Sequence, residues 1–136
     1  MIQDRPVISV QAKSSRTSKQ NITNIEGISA SSAGATGLCM FLAVIPPSGK
    51  SIPHYHNRYE TALYIVRGRV ETRYGAQLEH SKTNEAGDFL FVPPNVPHQT
   101  VNLSDTEEVL LVVTRNDPNE QESVVLYETG STGQKI

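Results

Sequence analysis

The 136-residue sequence predicts an all-β fold, an antiparallel sandwich or barrel, on three observations. Short runs rich in β-branched and aromatic residues recur along it. Gly, Pro, Asn or Asp bounds each run. No window of 11 residues between positions 25 and 127 carries a helical stripe.

Taken in order, the chain opens on a segment with little to bury. Residues 7–10 (VISV) have the composition of an edge strand able to pair with another subunit. Residues 11–24 (QAKSSRTSKQNITN) offer only Ala12 and Ile22 as apolar groups and carry Lys13, Arg16 and Lys19. Such a stretch cannot offset its ordering entropy alone and reads as an extended arm. The acid-free, Ser- and Arg-bearing composition has some likeness to a transit peptide, but Asp4 precedes it and no Arg-rich amphipathic helix is present. Strands are then expected at Ala43-Val44-Ile45, Leu63-Tyr64-Ile65-Val66, Phe89-Leu90-Phe91-Val92, Val109-Leu110-Leu111-Val112-Val113 and Val124-Val125-Leu126-Tyr127. Turn signals separate them at Pro46-Pro47-Ser48-Gly49, Gly68, Gly75, Gly87-Asp88, Pro93-Pro94-Asn95 and Asn116-Asp117-Pro118. The expected division is an arm over 1–24, one barrel domain over 25–128 and a tail over 129–136.

Composition narrows the functional classes. Twelve Lys+Arg against 14 Asp+Glu give a net charge of -2, which leaves no excess of cation for nucleic acid. The single cysteine, Cys39, permits no intramolecular disulfide and fits a reduced, cytoplasmic setting; it reads as a small core residue. The longest apolar run, residues 38–45, falls far short of the roughly 20 that a membrane helix needs, and no secretory signal is expected after Met1.

Two segments carry chemistry. In residues 49–60 (GKSIPHYHNRYE), His54 and His56 stand two apart, so an extended chain points both the same way, and Glu60 shares their parity. Residues 87–102 (GDFLFVPPNVPHQTVN) supply a third imidazole, His98, far enough along for two strands to intervene and return. Three imidazoles and one carboxylate suit one divalent transition-metal ion: Fe, Mn, Ni, Co, Cu or Zn. An octahedral ion would keep two positions open for water or for an anionic, chelating ligand.

These segments resemble the paired motifs of the cupin superfamily, over about residues 45–114. Gly49, His54, His56, Glu60 and Gly68 answer the first motif; Gly87, Pro93, Asn95, His98 and Asn102 answer the second. The resemblance implies a small single-domain cupin, a double-stranded β-helix or jelly-roll barrel, with the metal held inside by His54, His56, Glu60 and His98. Four residues separate Gly49 from His54 where the motif has five, and seven separate Glu60 from Gly68 where it has six. The second count suggests a bulge next to the ligand and leaves Thr61 as a competing occupant of the glutamate position. Asn95 replaces the motif glycine, and asparagine tolerates the left-handed conformation that glycine would take there.

Strand parity proposes the pocket wall. With Glu60 inward, Ala62, Tyr64 and Val66 follow it; beyond Gly68, Val70, Thr72 and Tyr74 form the inward set, and Thr100 shares the parity of His98. Tyr64, Thr72, Tyr74 and Thr100 are thus the expected polar lining. No arginine clamp is evident, which disfavours a phosphorylated substrate. His80 matches no motif position and reads as a surface histidine. Some thiol dioxygenases are cupins, but those resemble three-histidine sites, and Glu60 argues against that chemistry here.

The leading expectation is a mononuclear metalloenzyme acting on a small organic molecule, of dioxygenase, decarboxylase or isomerase/lyase type, with oxidoreductase chemistry slightly favoured. The alternative is a metal-dependent binding or sensor module without turnover. A storage role is disfavoured because storage cupins usually carry duplicated barrels. A homodimer is expected, since pairing would cover exposed sheet edges; neither nucleic acid nor membrane is an expected partner.

Overall fold

A computed structural model describes residues 1–119, 121 and 123–129. Eleven strands and one helical turn run in the order β1 (Ser15–Thr17), β2 (Thr23–Ile28), α1 (Ala30–Ala33), β3 (Cys39–Ile45), β4 (His54–His56), β5 (Thr61–Arg67), β6 (Arg69–Tyr74), β7 (His80–Glu85), β8 (Phe89–Val92), β9 (His98–Asn102), β10 (Val109–Arg115) and β11 (Val124–Leu126). They form a six-stranded sheet, β1-β2-β3-β10-β5-β8, and a five-stranded sheet, β11-β4-β9-β6-β7, with antiparallel pairing throughout. The fold is the all-β jelly-roll barrel that the sequence implies. No helix among the described residues is long and apolar enough to cross a membrane.

Alternation builds the core. In β3, Cys39, Phe41, Ala43 and Ile45 are buried while Met40, Leu42 and Val44 between them are not. In β10, Val109, Leu111 and Val113 are buried, and Arg115 follows them on the same face. Ile22, Ile65 and Val70 complete one cluster with these residues. Cys39 is a core residue, 1% exposed. The chain passes from one sheet to the other at Gly68, where φ is +95° and a Cβ would lie 2.8 Å from Val109 Cγ2; glycine is required there on both counts.

The arm is shorter than expected. β1 pairs with β2, Ser15 opposite Ile25, so the sheet begins inside the segment read as an arm. The turn between them satisfies its own polar groups: the Ser18 N–H donates to the Ile22 carbonyl, and the Ile22 N–H to Ser18 Oγ. Ile22 then inserts into the core and anchors the hairpin. Residues 7–10 form no strand within the single chain. Except for Thr129, the expected tail lies outside the described residues.

Strand β7 was not foreseen. Its sequence, HSKTNE, has no apolar alternation; it is an exposed edge strand held by register pairing from Tyr74↔His80 to Arg69↔Glu85, and its polar surface suits an edge.

Candidate metal centre

The period of β4 sends His54 and His56 to one face, where they are 3% and 2% exposed, while Tyr55 points the other way. β4 pairs with β9 through a single register pair, His54 opposite His98. The turn before β9 locks to the first segment through Asn95, which takes φ +63°, donates its N–H to the His56 carbonyl at 2.9 Å and accepts from the Arg58 N–H at 3.1 Å. Asparagine therefore serves where the motif has glycine, and its side chain adds a bond that glycine lacks.

The three rings converge. Their centroids lie 4.4 to 5.2 Å apart, and one ring nitrogen from each falls within 4.8 Å of the other two. Two tautomers follow from the neighbours. His54 Nδ1 is 2.7 Å from the Ile52 carbonyl and His98 Nδ1 is 2.9 Å from the Val96 carbonyl. A carbonyl only accepts, so both Nδ1 atoms carry hydrogen and both Nε2 atoms carry lone pairs. His56 Nδ1 is buried with no hydrogen-bond partner. Burial pushes all three imidazoles toward the neutral form, His54 and His56 well below the ordinary value and His98 to about 4. The Arg115 cation adds to the lowering at each ring. Neutral, buried and convergent imidazoles are what a transition-metal ion requires, and backbone carbonyls behind such rings are the usual orienting partners of ligating histidines.

Glu60 does not join them. It is exposed ahead of β5, with its backbone N–H donating to Asn116 Oδ1 at 2.8 Å. Thr61 takes the inward position, 3% exposed, and accepts a 2.9 Å hydrogen bond from Arg115 Nε. The cause is the extra residue between Glu60 and Gly68. β10 pairs Leu110 with Arg67 but Leu111 with Ile65, so the bulge falls at Val66, at the Gly68 end of β5. Counted from Gly68, the motif's acidic position is Thr61, and Thr61, Leu63 and Ile65 face inward.

The pocket wall shifts accordingly. Thr72 and Thr100 line the cavity around the histidines. Tyr64 points outward and packs on Phe89, their ring centroids 4.8 Å apart. Tyr74 lines an outer recess and stacks near the exposed His80 at 5.2 Å. The expectation of no arginine in the pocket is overturned: Arg115 is 3% exposed and lines the cavity with the histidines. The signal was present in the alternation of β10, whose inward set, continued past Val113, ends on Arg115. The inner cavity measures about 60 Å³ and shares Thr72, Leu90, Val92 and His98 with an outer recess of about 370 Å³.

Residues 41–114 match the family model described as Cupin domain, which is more than half of the chain. The chain belongs to the cupin family. An uncharacterized protein of Methanocaldococcus jannaschii is 31% identical to this cupin over 64 residues, which are 46% of the chain and 48% of that protein. The chain thus spans about half the length of the curated relative it matches. Among solved structures, a Cupin 2 conserved barrel domain protein from Salinispora arenicola superposes with a TM-score of 0.64 at 23% identity, over 86% of this chain and 90% of that one. The polyketide cyclase RemF from Streptomyces resistomycificus gives 0.68 at 18% identity, over 96% and 90%. The Lactobacillus farciminis oxalate decarboxylase, in a formate complex, gives 0.70 at 18% identity, over 83% of this chain but 33% of that one. At these identities the structural likenesses establish the barrel alone.

Proposed function

We propose that this cupin is a mononuclear metalloenzyme in which His54, His56 and His98 hold one divalent transition-metal ion and a small organic molecule reacts beside it. The observation that carries this reading is the convergence of three buried, neutral imidazoles around a cavity that shares part of its wall with an outer recess. The donor set fits such an ion: an orphaned ring nitrogen on His56 would otherwise cost about 1–3 kcal/mol. Bound there, the metal would polarise a substrate oxygen and stabilise developing negative charge.

The remaining residues narrow the chemistry. No Asp or Glu is among the described residues lining the cavity, so none of these can act as a carboxylate general base, and the imidazoles are committed as ligands. Thr61, Thr72 and Thr100 orient by hydrogen bonding, and the apolar side chains among them exclude water. That set favours decarboxylation or oxygen-dependent cleavage over an isomerisation that must carry a proton between carbons. With Glu60 outside, the objection to thiol oxidation lapses as well. The solved structures of an oxalate decarboxylase and a polyketide cyclase on this barrel add support for an enzyme.

Elemental analysis of the purified chain tests this reading: close to one transition-metal ion per chain is expected. Less than a tenth of an equivalent after incubation with each candidate metal would sink it. The loaded protein is then to be assayed for oxygen uptake and for carbon dioxide release with catechols, β-diketones and small organic acids. Absence of both would turn the reading to a metal-dependent binding module.

A homodimer completes the proposal. Tyr64, Val66, Phe89 and Phe91 lie exposed together on β5 and β8, with Phe89 80% exposed, and β8 is a free sheet edge. Ile2 and Val7 on the arm are equally uncovered. An arm long enough to reach a neighbour and an apolar edge strand to receive it favour a second copy as the occupant. Sedimentation at micromolar concentration is expected to give a dimer, and Phe89→Glu a monomer; a monomeric wild type defeats the dimer.

A further inference from the structure

We propose that Lys82 and Tyr74 receive the anionic end of an apolar acid that lies in the outer recess, with its opposite, oxygen-bearing end at the three-imidazole centre. This rests on the metal-centre reading and names the substrate class for it.

Strand register places the parts. In the five-stranded sheet, β6 pairs Thr72 with Lys82 of β7 and with Thr100 of β9, and it pairs Tyr74 with His98. Register partners point to the same face of a sheet, and so do residues two apart in one strand. Lys82, Thr72, Tyr74 and His98 therefore share one face, and all four line the recess. Lys82 and Tyr74 are diagonal neighbours across the β6–β7 pair, close enough for a long and an aromatic side chain to meet at one group. Lys82 and His98 stand two strands apart and one side-chain period along, which sets their backbones roughly 12 Å apart. That span leaves room for a ring or a chain of several carbons between the two ends.

Charge supplies the chemistry. The recess, about 370 Å³, is walled by Leu90, Val92, Pro93 and Val96, and no acid is among the described residues that line it. Lys82 is the one lysine or arginine among them. It lies exposed on an edge strand, and its ammonium makes no ion pair or hydrogen bond with the described residues. The Tyr74 hydroxyl likewise has no hydrogen-bond partner among them. A cation and a neutral donor beside an apolar, acid-free recess favour an anion over a neutral or cationic group. Thr72 and His98 border both the recess and the histidine cavity, so the far end of the recess lies against the imidazoles. The substrate class is thus an aromatic or aliphatic acid whose carboxylate is remote from the oxygen that meets the metal.

The test is calorimetric titration of dihydrocaffeate, a catechol with a carboxylate on a two-carbon arm, and of its uncharged amide. Both are titrated into zinc-loaded and metal-free protein, with zinc content measured for every variant. The catechol is common to the two probes, so the decisive quantity is the carboxylate-to-amide affinity ratio and its change when Lys82 is altered. Lys82→Met is expected to lower the ratio about 3- to 10-fold, Lys82→Glu by more than about 10-fold, and Lys82→Arg to keep most of it. Tyr74→Phe should lower it about 3-fold. Raising the salt from about 50 to about 500 mM should shrink the ratio more in wild type than in Lys82→Met. Lys82 is exposed, so its variants are expected to fold. A ratio that Lys82→Met and Lys82→Glu both leave at the wild-type value overturns the proposal. So does the absence of binding of both probes to zinc-loaded and metal-free wild type alike. Wild type that takes up neither zinc nor any other candidate metal sinks the metal centre instead. The metal-free titrations then still decide the anionic end: a ratio that falls in Lys82→Met supports it, and one that does not fall overturns it.

Discussion

His56→Ala is expected to reduce the metal content from about one ion per chain to below a tenth. Three donors is already a small set, and losing one leaves two imidazoles, too few to hold an ion against a modest chelator. His56 is the informative choice among the three. The Nδ1–H groups of His54 and His98 serve the Ile52 and Val96 carbonyls, so deleting either ring also strands a carbonyl and confounds binding with folding. His56 Nδ1 serves no hydrogen-bond partner, and its removal exposes no such debt. Glu60→Gln, on the same measurement, should leave the metal content unchanged. Full loading of His56→Ala would remove the three-imidazole centre, and loss of metal in Glu60→Gln would return the exposed carboxylate to it.

The same substitution should flatten the acid side of the stability profile of the metal-free protein. All three imidazoles have folded pKa values below the ordinary value of 6.5, His98 at about 4. Below about pH 6.5 the unfolded chain therefore binds protons that the folded chain refuses. Stability is greatest above that pH and falls as pH drops, by up to about 1.4 kcal/mol per pH unit for each ring, until the folded ring titrates in turn. For His98 the window runs from about 6.5 to about 4. Urea midpoints measured between pH 7.5 and 4.5 should fall more steeply in the metal-free wild type than in metal-free His56→Ala. Parallel profiles would mean that His56 is not held neutral by burial.

The strands that pack a core were legible because burial leaves an alternating trace; β3, β5, β8, β10 and β11 all appear as β-branched or aromatic runs. β7 was illegible because an exposed edge strand is specified by its partner's register, not by its own pattern. The three histidines were legible from spacing, since period two and a motif turn suffice to aim them. That Glu60 lies outside the histidine cluster was not legible, for a physical reason. Parity is a running count, and a single bulged residue anywhere in a strand inverts every assignment on one side of it. With the bulge placed beside Glu60 the count favours Glu60, Ala62 and Tyr64; with the bulge at Val66 it favours Thr61, Leu63 and Ile65. Arg115 was missed for a related reason. The apolar run ends at Val113, and a charged residue after it reads as the start of a loop, although β10 continues through it.

Asn102→Ala should destabilise the barrel by about 3–5 kcal/mol, a drop of roughly 10–20 °C in Tm. Asn102 closes the second motif segment, is 3% exposed, and binds the end of the barrel together through its amide. Its Nδ2 donates to the carbonyls of Ile45 at 3.1 Å, Pro46 at 3.0 Å and Glu107 at 2.8 Å, while Oδ1 accepts from the Ser104 N–H at 2.9 Å. One side chain thereby joins the end of β3, the end of β9 and the loop that leads to β10. Alanine takes this donor from three carbonyls, of which Pro46 keeps the Gly49 N–H at 2.8 Å, and leaves the Ser104 N–H without its acceptor. Asn102→Asp should be at least as harmful: it keeps an acceptor for Ser104 but removes both N–H donors and sets a carboxylate against three carbonyl oxygens. Ser104→Ala makes the contrast. Its hydroxyl accepts from the N–H groups of Thr106 and Glu107 in an exposed loop where water substitutes, so a loss of no more than about 1 kcal/mol is expected. Thermal melts of the three variants separate the cases. Similar small shifts in all of them would mean that the loop relaxes to meet water and that this amide is not what holds the two sheets' ends in register.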